Sequence, residues 1–367
     1  MLRQYKLSDY RFRLIIWVVA LSVLGILIIG SANDDYQVKQ TGGLILGIIL
    51  MIIVSLFDYT WVLNFYWLIY LLGTVLLASV LVAGTNVNGA TRWINIGGFQ
   101  FQPSDIVKIM LIMFFAKFFE VREDKVSKWR TIFFSLILIG IQLFMILEEP
   151  DLSTTIVVTL VFCVLIFAAG LSYKIVVGIM VVFLPVAIIF MSILMQPDQT
   201  IIESYQLTRI YAWLRPEEYP QEAYQQENSK IAIGSGQLYG KGLNNDEVGS
   251  VKNGNFIAEP QTDFIFAVAG EELGFIGCCL IVLLEFIIAV ECLMIGLRAR
   301  SLSGTLICTG MSSLIFFQSF VNISVTTGLL PNTGITLPFV SYGLTSLVSF
   351  CIGIGVVLNV GLQTKKY

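Results

Sequence analysis

Residues 14–31 read LIIWVVALSVLGILIIGS, a run from Leu14 to Ser31 without a single charge. An α-helix rises about 1.5 Å per residue, so a run of this length spans most of a lipid hydrocarbon core about 30 Å thick. Arg3, Lys6, Arg11 and Arg13 precede it, which is the outline of a secretory signal. No small-residue cleavage site ends the run, however, and apolar runs of similar length recur near 42–57, 65–84, 104–119, 132–147, 154–170, 174–195, 263–294, 303–327 and 339–361. The first run therefore reads as a retained helix. The expected fold is an all-α polytopic membrane protein of about ten transmembrane helices. A single integral-membrane domain is expected over 1–367, with a long extracellular loop, 196–262, between the seventh and eighth helices.

Composition supports this class and excludes others. Of 367 residues, 56% are hydrophobic and 13% charged, and the mean hydropathy is +0.83. A net charge of −3 with scattered basic residues gives no footprint for a nucleic-acid partner. Cys163, Cys278, Cys279, Cys292, Cys308 and Cys351 all lie in apolar runs, with neither zinc-type spacing nor a secreted disulfide pattern. They read as small core hydrophobes.

Charge asymmetry orients the spans. Arg3, Lys6, Arg11, Arg13, Lys117, Arg122, Lys125, Lys128, Arg130, Lys174, Arg298, Arg300, Lys365 and Lys366 fall on one side. The short loops of the other side carry only Lys39 and Arg92. The positive-inside rule makes both termini cytoplasmic. Four loops then meet outside: 85–103, 148–153, 196–262 and the segment from Gly328 to Gly334. The long loop exceeds any turn, and its segments Tyr205–Leu214 and Tyr224–Ile233 mix aromatic, aliphatic and charged residues as interfacial helices do.

With no histidine in the chain, a general base must come from Asp, Glu, Lys, Tyr or Cys. Asp263 stands where polar sequence gives way to Phe264-Ile265-Phe266-Ala267-Val268. At such a mouth an ionised acid is costly and its pKa drifts up, which suits a proton acceptor. The competing reading is an acid at a helix N-terminus. Asp105 and Lys108, three apart after Pro103-Ser104, can form a structural ion pair or contact substrate. Lys117 reads as a snorkelling anchor. Glu271, roughly on the helical face of Asp263, with Glu272 and Glu285 can line a polar path or form a packed cluster. Arg209, Arg215, Lys230 and Lys241 can together bind a phosphate or pyrophosphate. Gly234-Ser235-Gly236 and Gly240-Lys241-Gly242 offer backbone N–H groups beside them, though not as a Walker loop.

These segments, in this order, resemble the SEDS family (shape, elongation, division and sporulation), and most closely its elongation branch, typified by RodA. The resemblance rests on Gly89-Ala90-Thr91-Arg92-Trp93-Ile94, Gln102-Pro103-Ser104-Asp105 with Lys108, and Pro150-Asp151-Leu152 with Thr154. It continues through Tyr224-Gln225, Ser229, Ile231–Gly236, Gly240-Lys241-Gly242 and Thr262-Asp263-Phe264-Ile265-Phe266. Asn322, Gly328, Pro331, Gly334 and Leu337-Pro338-Phe339-Val340-Ser341-Tyr342-Gly343 complete it. The chain departs from the family at Asp105, usually Glu, at Ser153, usually Gly, and at Leu344-Thr345, usually Gly-Ser.

The resemblance implies a peptidoglycan glycosyltransferase of the bacterial cytoplasmic membrane that polymerises lipid II at the outer surface. Asp263 would be the general base of an inverting displacement on an undecaprenyl-pyrophosphate-linked glycan. Arg92, Trp93, Asp105, Lys108, Arg209, Lys230 and Ser341 would bind substrate, with Arg92, Arg209 or Arg215 near the pyrophosphate. No protein metal cage is visible; a divalent cation, Mg2+ or Mn2+, held by substrate phosphate and Asp263 is a further expectation. The implied partner is a class B penicillin-binding protein, a transpeptidase, alongside membrane lipids. Short terminal tails point to elongation rather than division, with sporulation a further alternative. The rival readings are a lipid II flippase or transporter, which would need polar groups near the midplane, and an inactive scaffold.

Overall fold

The computed structural model describes residues 10–87, 90–96, 99–175, 177–178, 204–244 and 256–363. Arg3, Lys6, Asn88, Gly89, Lys365, Lys366 and most of the seventh expected span, 174–195, lie outside the described residues. The elements in chain order are α1 (Phe12–Ala32), α2 (Asp34–Leu56), the single turn α3 (Tyr59–Val62), α4 (Tyr66–Ala83), β1 (Thr85–Val87), β2 (Ala90–Ile96) and β3 (Phe99–Phe101). There follow α5 (Pro103–Glu120), α6 (Trp129–Glu148), α7 (Leu152–Ala168), α8 (Ser204–Leu214), α9 (Pro220–Ser235), α10 (Ile265–Gly296), α11 (Leu302–Thr326) and α12 (Leu344–Leu362).

Among the described residues, seven helical stretches are long and apolar enough to cross a membrane: α1, α2, α3 with α4, α6, α10, α11 and α12. The 17-residue α7 is apolar but shorter, and α5 carries Asp105, Lys108, Lys117 and Glu120. The protein is thus a multi-pass helical membrane protein. Its lipid-facing surface shows in exposed apolar residues three or four apart: Ile45, Ile49 and Ile52 on α2, Leu68, Leu71 and Val75 on α4, and Phe133, Ile137 and Ile141 on α6. Such stripes would be an aggregation hazard in water and are ordinary in lipid. In the interior, α11 packs on α5, α7, α10 and α12, while α12 packs most extensively on α2. Phe114, Phe115, Phe118 and Phe119 on α5 are buried and stack on one another and on Phe162 of α7.

Several boundaries differ from the sequence expectation, each for a local reason. The second helix begins at Asp34, not near 42, because Asn33 caps it: its side chain accepts from the Asp35 N–H at 3.1 Å. Asp34 and Asp35 then favour the positive end of the helix dipole. The segment 85–103, expected as a loop, folds into a small antiparallel sheet ordered β1-β2-β3, with Thr85 opposite Trp93 and Ile94 opposite Phe101. The last helix starts at Leu344 rather than 339, since Phe339 adopts φ 61° in the preceding turn.

The longest helix, α10, is broken at Gly274, where φ is 65° and ψ −165°. The backbone groups freed by the break are met by the segment after α9. Phe275 N–H donates to Gln237 C=O (2.9 Å) and Ile276 N–H to Leu238 C=O (3.2 Å). In return, Lys241 and Gly242 N–H groups donate to the carbonyls of Glu271 and Glu272, each at 2.9 Å. Irregular backbone is tolerated in an apolar bundle only when protein satisfies it in this way. The N–H groups of Lys241 and Gly242 therefore dock a loop on a broken helix rather than cradle a phosphate. Glu271 and Glu272 belong to the same packed cluster: Lys241 pairs with Glu271 at 2.8 Å, and Ser31 donates to Glu272.

A Cβ at Gly274 would collide with the Gly240 amide, and φ 65° already disfavours a side chain. Gly274→Ala is therefore expected to cost about 1–3 kcal/mol and to lower the thermal midpoint in detergent. Gly140→Ala, in α6 with nothing within 4 Å of the added methyl, is the control and should be neutral or slightly stabilising.

Candidate active site

Five chain segments far apart in sequence meet at one end of the bundle. Asp263 lies in the turn before α10, and the residue capping that helix is Phe264, with no side-chain cap. Asp263 is therefore not a helix-capping acid. Asn322 of α11 fixes its position by donating both amide protons, to the Asp263 carbonyl (2.8 Å) and to the Ile335 carbonyl (2.6 Å). The second bond brings in the loop 327–343 between α11 and α12. At Gly334, φ is 71°, and a Cβ there would sit 3.2 Å from Asp263 Oδ2 and 3.8 Å from Arg92 Nη1. Carboxylate and guanidinium thus meet over a bare stretch of backbone that any side chain would crowd.

Arg92 reaches this point from β2. Its Nε donates to the Glu149 carbonyl at 3.3 Å, its Nη2 to the Pro150 carbonyl, and its Nη1 lies 4.0 Å from Asp151 Oδ1. Asp151 also caps α7, accepting from Thr154 N–H (3.0 Å) and Thr154 Oγ1 (2.9 Å). Ser153 Oγ donates to the Thr333 carbonyl at 2.6 Å, joining the 149–153 turn to the loop that carries Gly334. Arg209, on α8, donates from Nη1 to the Asn332 carbonyl at 3.2 Å. The sequence-predicted Asp263, Arg92 and Arg209 are thereby brought together.

Burial pushes the Asp263 carboxyl up to about 6, against the opposing pull of Arg92 and Arg209 and with smaller upward pushes from Glu259 and Asp151. Asp263 nonetheless keeps some contact with solvent, so the effect comes from crowding by surrounding protein rather than complete dehydration. Among the described residues nothing hydrogen-bonds to its carboxylate. A carboxylate of this kind can take a proton from a hydroxyl near neutral pH, and the flanking guanidiniums suit phosphate oxygens.

The other expected residues fall elsewhere. Trp93 follows Arg92 on β2 and so points to the opposite face of the strand, partly exposed. Asp105 and Lys108 are buried and pair at 2.9 Å, and Lys108 also donates to Gln318 at 3.0 Å. Lys230 pairs with Glu227 at 2.6 Å on the exposed side of α9, and Arg215 pairs with Glu218 at 3.3 Å. Of the four loop cations, the neighbouring acids take Lys230, Arg215 and Lys241, and Arg209 is the one that bears on Asp263. Ser341 Oγ accepts the Leu337 N–H at 2.7 Å, and its carbonyl accepts from Gln40 at 3.0 Å. It shapes the loop from within.

The residues present do not fit a protein-held divalent cation. Two guanidiniums flank Asp263, and among the described residues no three of His, Cys, Asp and Glu cluster as a ligand set. Charge at the site favours an anion.

Sequence reasoning missed Glu149. In Glu148-Glu149-Pro150-Asp151 the two acids look alike, yet Glu148 is exposed and Glu149 wholly buried with both carboxyl oxygens unpartnered. Only the turn into the Asp151 cap decides which side chain faces inward. Burial, with Asp151 adding to it and Arg92 opposing, pushes the Glu149 carboxyl up to about 8. The folded chain therefore keeps a proton that the unfolded chain releases above its ordinary value. Stability is lost as pH rises through about 8. Glu149→Gln removes that loss: its thermal midpoint should exceed the parent's by a few degrees at about pH 8.5 and by little at about pH 5. Equal shifts at both pH values would contradict a buried, neutral Glu149.

The FtsW/RodA/SpoVE model, described as cell cycle protein, matches residues 10–366. The probable peptidoglycan glycosyltransferase FtsW of Geobacter sulfurreducens is 33% identical over 378 residues, covering 98% of this chain and 97% of its own length. A solved chain described under "Structural coordination of polymerization and crosslinking by a peptidoglycan synthase complex" superposes with a TM-score of 0.79 at 27% identity, covering 96% of this chain and 97% of that one. The rod shape determining protein RodA of Thermus thermophilus gives 0.70 at 26% identity, covering 98% of each chain. The expected resemblance holds across the chain, although the FtsW likeness stands beside the RodA one. This chain belongs to the FtsW/RodA/SpoVE family, the SEDS peptidoglycan glycosyltransferases and their homologues.

Proposed function

We propose that this protein polymerises lipid II into glycan strands, with Asp263 as general base. The observation that carries the reading is the Asp263 carboxylate beside Arg92 and Arg209 at the Gly334 backbone. Asp263 takes the proton from the free sugar hydroxyl of the acceptor lipid II. The hydroxyl oxygen forms a bond to the anomeric carbon of the lipid-linked glycan. The bond from that carbon to undecaprenyl pyrophosphate breaks, and the pair of electrons leaves on the pyrophosphate. One displacement inverts the centre and needs one base, whereas retention would need a separate nucleophile. Arg92 and Arg209 meet the charge that develops on the leaving pyrophosphate. No step here requires a cation.

Charge asymmetry supports placing this end of the bundle at the outer face, with both termini cytoplasmic. The exposed apolar stripes on α2, α4 and α6 suit the polyprenyl tails. A class B penicillin-binding protein, a transpeptidase, is the partner we propose, because the structurally similar chain belongs to a complex described as coordinating polymerisation with crosslinking. For cellular role we keep elongation, supported by likeness to RodA; likeness to FtsW makes division the competing assignment. Depletion in a rod-shaped host should round the cells, and filaments with failed septa would assign division instead.

The decisive measurement follows labelled lipid II with the chain alone and with its transpeptidase. Asp263→Asn should lower polymerisation by at least about a hundred-fold while leaving the thermal midpoint near that of the parent. An Asp263→Asn variant as active as the parent removes the base assignment. A parent that moves lipid II across vesicles without making glycan would be a transporter. In the active parent, the rate should rise with pH through about 6, as the carboxyl loses its proton.

A further inference from the structure

Gln318 lies on α11 four residues before Asn322, so the two amides share one face of that helix. Asn322 holds the carbonyls of Asp263 and Ile335. Gln318 holds the next residue of the loop: its Nε2 donates to the Thr336 carbonyl at 3.0 Å and lies 3.3 Å from Thr336 Oγ1. Thr336 Oγ1 continues to Ser346 Oγ of α12 at 3.1 Å. Gln318 is wholly buried, so its amide has no water to fall back on.

The orientation of that amide is set from the other side. Lys108 Nζ donates to Gln318 Oε1 at 3.0 Å and to Asp105 at 2.9 Å. An ammonium has donors only, so it must face the amide oxygen, leaving the NH2 for the Thr336 carbonyl. Turned round, the amide would set two donors against each other at Lys108 and two acceptors at Thr336. The buried Asp105–Lys108 pair therefore does more than neutralise itself. It fixes which way Gln318 points, and so which group meets the loop two residues beyond Gly334.

We propose that Gln318, oriented by the Asp105–Lys108 pair, is a positioning residue that holds Gly334 against the Asp263 carboxylate and Arg92. The proposal rests on the reading of Asp263 as base. It assigns a use to a buried ion pair that never touches the reacting atoms.

The test uses the full chain in liposomes with its transpeptidase, labelled lipid II, and hydrogen exchange of the peptide covering 332–337. Gln318→Glu keeps size and strengthens the bond to Lys108, but sets a carboxylate oxygen against the Thr336 carbonyl. It should lower the thermal midpoint by a few degrees because the buried Thr336 carbonyl loses its donor, yet stay folded, lose about ten-fold in kcat with KM within about two-fold, and exchange faster over 332–337. Gln318→Leu should lose at least as much kcat, and its acid limb should move below that of the parent as water reaches Asp263. A residue that merely packs would behave otherwise: Gln318→Glu would recover the kcat, pH profile and exchange of the parent, and that result overturns the proposal. If the parent itself makes no glycan, the lipid II reading fails. Exchange over 332–337 then decides the inference, with parent-like exchange in both variants overturning it.

Discussion

Asn322 donates one amide proton to the carbonyl of Asp263 and the other to the carbonyl of Ile335, and the arrangement of the site follows from those two bonds. Both carbonyls belong to backbone that has left helical geometry inside a bundle where water is scarce. Such groups must find partners within the protein. The same solution recurs wherever a helix gives way to irregular chain. Gln226 of α9 donates to the carbonyls of Val325 and Leu330 at the end of α11. Gln40 of α2 donates to the Ser341 carbonyl, and Asn359 of α12 bridges the break between α2 and α3 through the Ser55 carbonyl and the Tyr59 N–H. Carboxamides suit this work because they carry donors and an acceptor yet no charge to desolvate.

Charged groups are placed with the opposite economy. Buried Lys108 is paired with Asp105, and Lys241 with the buried Glu271. At the site, by contrast, Arg92 spends its hydrogen bonds on backbone carbonyls, and Glu149 stays neutral beside it. The guanidinium charge is therefore not consumed by a close carboxylate: Asp151 stands off at 4.0 Å. An end of the bundle where the Arg92 and Arg209 guanidiniums bear on one crowded carboxylate is arranged for an anionic partner that also brings a proton to be removed.

Much of this was legible in the sequence. The apolar runs gave the class, and helices α1, α4 and α6 begin or end within a few residues of expectation. Asp263 could be chosen as an acid at the edge of apolar sequence in a chain lacking histidine, Arg209 as one of four cations in the long outer loop, and Arg92 from the family motif in which it stands. Lys230 and Arg215 looked equivalent to Arg209 as loop cations. Their i,i+3 acids, Glu227 and Glu218, are the one sequence signal that they are already satisfied. Glu149 was hidden because its burial depends on a turn that Pro150 and the Asp151 cap create together.

The sequence by itself determined that the chain spans a membrane repeatedly, and its ordered motifs carried the family. Both follow from local quantities: the length of apolar runs, charge asymmetry and residue identity at fixed spacing. Only the tertiary structure decided which charges face one another. Arg92, Glu149, Asp263, Asn322 and Gly334 are separated by tens to hundreds of positions, and their meeting depends on helix packing and on where buried backbone finds its hydrogen bonds. Burial, which raises the Asp263 carboxyl, is a property of that packing rather than of any stretch of sequence.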